Sequence, residues 1–175
     1  MTIRPAGEAD VSAILGLIRE LAEFEKLGDA CVADEALLRR HLFGAEKAAE
    51  ALVAEAGDAG HSTVVAYAIY FKTFSTFLAR PGLYLEDLYV QPAHRHRGIG
   101  RGFLRRLAAI CARHGYGRLE WSVLNWNAAA IGFYESLGAR PLEGWTMYRL
   151  TGPALAAAGE AVIENGGAAG YCPPR

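Results

Sequence analysis

Gln91 to Leu107 reads QPAHRHRGIGRGFLRRL, with five arginines, two histidines and three glycines set between a strand-like run and a helix-like run. Three readings are open for such a stretch: a nucleic-acid arm, a metal cluster, or a loop whose bare backbone holds phosphate. The preceding LYLEDLYVQP (residues 83–92) is rich in strand formers and is ended by Pro92. From Gly98 onward, Ile99, Phe103, Leu107 and Ile110 recur at helical spacing until HGYG at residues 114–117. A strand that runs through glycines straight into a helix leaves several backbone N–H groups without intrahelical acceptors, with no side chain in front of them at Gly98 and Gly100. Phosphate is the natural guest of such a site. The alternative is a tight turn whose glycines only bend the chain and whose arginines form a solvated face. The spacing lacks the GK[ST] of a P-loop and is not GxGxxG, so neither a nucleoside triphosphate nor a dinucleotide fold is indicated.

Working outward, Ile3 to Pro5 reads as an opening strand. Asp10 is placed to cap a helix bearing Val11, Ile14, Leu15, Ile18 and Leu21 on one face. Asp34 caps a second helix that stops near Gly44, ALVAEA (51–56) is a short buried strand, GDAGHS (57–62) is a turn, and TVVAYAIYFKTF (63–74) is a long strand. ARPG (79–82) reads as punctuation before the acidic strand. Beyond the central helix, LEWSVL (119–124) is a strand, Asn125 or Asn127 caps a helix that Gly138 terminates, and MYRLT (147–151) is a final strand. From Pro153 the chain is rich in Ala and Gly, a helix fragment and then a loose tail. This order, with a strand meander in its middle, predicts an α+β (mixed α/β) fold with one domain over residues 1–152 and a tail over 153–175.

The 175 residues suffice for one domain with a substantial core, and the 52% hydrophobic and 21% charged content is that of a globular chain. A formal net charge of -1 argues against a nucleic-acid binder, since the positive charge is local. Cys31, Cys111 and Cys172 lie too far apart for a disulfide framework or a zinc knuckle. His41, His61, His94, His96 and His114 form no HExxH pair, so no metal is expected. No apolar run reaches the ~18 residues of a membrane span and no signal-peptide core is present, so a cytoplasmic location without membrane association is expected.

RHRGIG (95–100) matches the R-x-x-G-x-G motif, and the chain there resembles the GNAT superfamily of acetyl-CoA-dependent N-acetyltransferases. IRPA (3–6), ELAEFE (20–25), LYLEDLYV (83–90), NWN (125–127) and FYESLGA (133–139) make it most similar to the spermidine/spermine (diamine) acetyltransferases, in order over roughly residues 2 to 151. The resemblance implies a GNAT fold, a central, mostly antiparallel twisted sheet with the cofactor in the splay between two central strands. It implies acetyl-CoA as cofactor, with the pyrophosphate on Arg95, His96, Arg97, Gly98, Ile99, Gly100 and Arg101. The backbone of Leu88, Tyr89 and Val90 would hold the pantetheine arm and polarise the thioester carbonyl, and Asn127 and Ala130 would complete the cofactor contacts. It also implies a homodimer and a small primary amine, most readily a polyamine, as acceptor; thialysine or another small amino-acid amine is the alternative, and a non-catalytic acyl-CoA-binding module the rival of another class.

An alkyl amine with a pKa near that of lysine, about 10.4, is protonated at neutral pH, so the site must attract a cation and then remove a proton. Glu86 and Asp87 stand inside an otherwise apolar strand. Neighbouring strand residues face opposite ways, so only one points into a given cleft unless a bulge intervenes. By resemblance Glu86 takes the amine proton, whereas Asp87 either joins it or pairs with solvent or an arginine. Tyr134, two helical turns after Asn127, either packs as an aromatic residue or, as the motif implies, protonates the coenzyme A thiolate. Phe24, Glu25, Glu120, Trp121, Ser122 and Glu143 complete the substrate residues that the resemblance assigns.

Overall fold

The computed structural model describes residues 1–57 and 62–164. Five strands, β1 (Thr2–Pro5), β2 (Glu50–Ala56), β3 (Thr63–Ser75), β4 (Arg80–Val90) and β5 (Leu119–Trp121), lie in the order 1-2-3-4-5. All neighbours are antiparallel except β4 and β5, which run parallel. Parallel neighbours need a crossover, supplied here by α3 (Ile99–His114). The helices α1 (Val11–Phe24) and α2 (Glu35–Leu42) precede the meander. The mixed α+β fold expected from the sequence is the one observed.

Local sequence accounts for most boundaries. Asp34 Oδ1 accepts the Leu37 N–H at 2.8 Å and starts α2 as expected. Asp10 precedes α1, but its carboxylate accepts from the Gly7 N–H at 2.7 Å and from Arg4 at 2.7 Å instead of from an α1 amide. The Arg4 contact holds that carboxyl below its ordinary value. ARPG is not punctuation: β4 already starts at Arg80. Pro81 is tolerated near the strand start, and its carbonyl accepts from the Gly117 N–H at 2.8 Å.

The sheet has two differently used faces. On one, Ile14 and Leu17 of α1 and Leu42 of α2 close over Val53, Tyr67, Ile69 and Tyr89. On the other lies α3, whose Phe103 and Leu107 are fully buried. A Cβ at Gly102 would stand 2.5 Å from Ile3 Cδ1, so the missing side chain lets α3 settle onto β1.

Strand β4 serves both faces because it contains a bulge. Leu88 pairs with Ala68 and Asp87 with Ile69, but Tyr70 pairs with Leu85, so Glu86 is the unpaired extra residue. Residues directly opposite in a sheet point the same way. Leu83 and Leu85 therefore face α3, and past the bulge Asp87 and Tyr89 face α1 and α2 with Ile69 and Tyr67. Ladder pairing with β5 covers only Leu83 to Leu85. Beyond it, among the described residues, β4 is laddered to β3 alone.

The chain divides into two compact units, Met1–Asn125 and a second that begins at Trp126. Within the second, Asn127 Oδ1 accepts the Ala130 N–H at 3.2 Å and caps α4 (Ala128–Glu135). The Ala/Gly-rich segment forms α5 (Gly152–Glu164), the expected helix fragment. The expected tail and most of the GDAGHS turn lie outside the described residues. MYRLT is not a strand: residues 147–151 have no regular structure, and Met147, Tyr148 and Leu150 are exposed. An alternating pattern makes a strand only where a neighbour satisfies its backbone groups.

Candidate active site

The glycine loop is built as a cradle. Gly98 is the N-cap of α3 at φ 80, ψ 5, a left-handed conformation that a Cβ disfavours. The first helical bond runs from the Gly102 N–H to the Gly98 carbonyl at 2.9 Å, so the N–H groups of Gly98 to Arg101 precede any intrahelical acceptor. Among the described residues no side chain caps them, and nothing lies within 4 Å of where a Cβ on Gly98 would stand. Ile99 is buried and pins the first turn to the core, while His96 also has a positive φ, of 60.

The arginines divide by environment. Arg97 and Arg101 are exposed, as is His96. Arg95 turns inward: its Nε donates to the Val90 carbonyl at 2.9 Å, and its guanidinium lies 5.3 Å from the Phe24 ring centroid and 5.7 Å from that of Tyr89. The first arginine of the motif thus ties the loop to the end of β4 and to the last turn of α1.

An acidic group lies on the α1 side of the bulge. Asp87 is half-buried and accepts a hydrogen bond from the Tyr67 hydroxyl at 3.1 Å. Burial pushes its carboxyl up to about 6; the Tyr67 hydrogen bond opposes that rise, and the charges of Glu86 and Glu25 add to it. Glu25, at the C-terminal cap of α1, is likewise raised by burial. Glu86 itself is exposed on the bulge. Glu25, Glu86 and Asp87 therefore form one electrostatic neighbourhood, with Phe24 at its rim.

On β5 and just beyond its end, the expected substrate residues make contacts of their own. Glu120 forms an ion pair with Arg118 at 2.7 Å, and the Ser122 hydroxyl shares a 2.7 Å hydrogen bond with Tyr84; Trp121 is half-buried between them in sequence. In the second unit, Tyr134 is half-buried, its ring 5.3 Å from Phe133, and burial raises its phenol above the ordinary value. Glu143 is exposed in a turn. Sequence reasoning missed Tyr67. Its 20-residue separation from Asp87 leaves no local signal of their contact.

Open backbone donors at a helix start, a strand freed of its ladder neighbour just upstream, and carboxylates on that strand thus lie along one stretch of the first unit. Residues 17–139 match the Acetyltransferase (GNAT) family. The chain is 40% identical over 160 residues to the thialysine N-epsilon-acetyltransferase of Sus scrofa, covering 87% of this chain and 94% of that protein. It is 38% identical over 154 residues to the Homo sapiens spermidine/spermine N(1)-acetyltransferase-like protein 1, covering 84% of this chain and 22% of that protein. An integron cassette protein from the mobile metagenome of V. cholerae shares the fold at a TM-score of 0.73 and 24% identity, over 91% of this chain and 97% of that one. The chain belongs to the GNAT acetyltransferase family and transfers acetyl groups to amines. Among the described residues no helix is long and apolar enough to cross a membrane.

Proposed function

We propose that this enzyme transfers acetyl from acetyl-CoA to the side-chain amine of a small amino acid of the thialysine type. The observation that carries the reading is the acidic neighbourhood of Glu25, Glu86 and Asp87 beside the single-edged end of β4. The full-length similarity to a thialysine acetyltransferase favours an amino-acid amine. Polyamines are the second reading, supported by the same carboxylates and by the similarity to a spermidine/spermine acetyltransferase-like protein.

The residues present fit acetyl-CoA. The open N–H groups of Gly98 to Arg101 suit a pyrophosphate, and the edge of β4 from Leu88, which among the described residues has no strand opposite β3, suits an amide-bearing arm. When bound, the cofactor supplies an acetyl group activated as a thioester. The Leu88 to Val90 backbone would hold the arm and polarise the carbonyl, and Arg97 and Arg101 would add charge at the loop. The Asn127 Oδ1 is occupied by Ala130, which leaves its amide nitrogen to serve the cofactor. Glu86 meets the incoming ammonium, and a carboxylate at the bulge removes its proton. Tyr134 holds the proton that the sulfur needs. The roles of Tyr134 and Asn127 rest on their chemistry and on the motif.

A thiol-release assay with acetyl-CoA against thialysine, lysine, ornithine, spermidine and putrescine tests this. Turnover is expected with thialysine first, and no turnover with any of the amines would remove the assignment. A homodimer belongs to the same proposal and rests on the resemblance to the diamine acetyltransferases. Light scattering that returned the mass of one chain would refute it.

A further inference from the structure

The two neighbouring carboxylates of β4 are not equivalent. Glu86 projects from the bulge into solvent, whereas Asp87 points under α1 and is held by a phenol. That phenol belongs to Tyr67, which is 0% exposed and packed among Ile14, Leu17, Val53 and Ile69. A ring wedged in a close-packed core cannot follow a moving partner. Its hydroxyl therefore fixes where Asp87 Oδ2 sits and does not engage Oδ1.

We infer that Asp87 is the carboxylate that takes the proton from the acceptor amine, that Glu86 steers the ammonium, and that Tyr67 is a positioning residue for Asp87. The inference rests on the acetyl-transfer reading above. A proton passes from the ammonium nitrogen to Asp87, and the freed lone pair forms the N–C bond to the acetyl carbon as its C–S bond breaks. The departing sulfur takes up the second amine proton and leaves as the free thiol. Asp87 then releases its proton to solvent.

Among the described residues, three groups act on the Asp87 carboxyl. Tyr67 reaches it from β3, Glu86 adjoins it on β4, and Glu25 faces it from the end of α1. Cys31 lies near enough to Tyr67 to act on it. Further along the same face Tyr89 donates to Glu20 at 3.2 Å beside the Arg95 guanidinium. A hydrogen bond to the ionised form favours that form, so its loss raises the pH needed for ionisation.

The test is the pH profile of kcat/KM for thiol release with thialysine, in the wild-type chain and in Y67F, D87N and E86Q. The wild type should lose activity on an acidic limb near pH 6. Y67F should move that limb upward by about half a unit to one unit. D87N should abolish the limb along with most of the rate, and E86Q should raise KM while keeping the limb. An unmoved limb in Y67F, or a limb lost in E86Q but kept in D87N, overturns the inference and leaves acetyl transfer standing. If the wild type acetylates no amine, the acetyl-transfer reading itself falls. The aspartate carboxyl carbon signal missing from D87N then decides the positioning by its NMR titration, since an identical midpoint in Y67F and wild type refutes it.

Discussion

Tyr134→Phe is expected to lower kcat by about 10²–10⁴-fold, the usual worth of a positioned general acid, while the affinity for acetyl-CoA changes little. The departing sulfur is the conjugate base of an alkyl thiol with a pKa of about 8.5, and a proton delivered as the C–S bond opens lets it leave as the neutral thiol instead of as a buried anion. Burial raises the Tyr134 phenol, which favours the protonated form that a general acid requires. Phenylalanine keeps the ring and its packing against Phe133 and removes only the proton. An interaction made only in the transition state lowers kcat and kcat/KM together. A thioester with a more acidic thiol should recover much of the lost rate, because its sulfur leaves without assistance. Unchanged kcat in the variant would exclude Tyr134 as the acid.

Asp87→Asn is expected to trade activity for stability. The rate should fall by about 10²–10⁴-fold with loss of the base. The fold should gain up to about 3 kcal/mol at pH 8, since a rise from 3.8 to about 6 is about 2 units at 1.36 kcal/mol each. The sign follows from the direction of the shift. A carboxyl harder to ionise in the folded chain than in the unfolded one costs nothing below pH 3.8, where both are protonated. The cost grows as pH rises and is complete above about 6. The amide of the variant would still offer an oxygen to the Tyr67 hydroxyl, so no buried donor is orphaned. Urea denaturation at about pH 4 and about pH 8 checks this, as the gap between variant and wild type should open only at the higher pH. An equal gap at both would mean that ionisation of Asp87 is not penalised by the fold.

The elements were legible wherever one residue's local chemistry sets a boundary. Asp34 announces α2 through its short side chain, Gly98 and Gly115 bracket α3, and Asn127 precedes α4. The open backbone donors at the start of α3 were legible for the same reason, since they need only glycine and a strand before them. What stayed hidden depends on partners far away in sequence. Arg95 looks in the sequence like any other cation of its loop, and only the packing of Phe24 and Tyr89 turns it inward. The face on which Asp87 lies follows from the register with β3, which a period-two pattern cannot supply once a residue is skipped. MYRLT has a strand's composition, yet residues 147–151 form no ladder among the described residues, and composition does not provide one.

The skipped residue also has a meaning that its side chain does not carry. Between Leu85 and Asp87 the backbone counts one position more than its partner strand, and that count acts as a phase shifter: it lets a single strand feed one face of the sheet and then the other. Deleting Glu86 would rotate Asp87 and Tyr89 toward α3 and take the acid away from the acceptor, whereas exchanging Glu86 for another residue would keep the phase. Length and identity at this position are therefore separate inheritances, and of the two it is length on which the existence of the site depends.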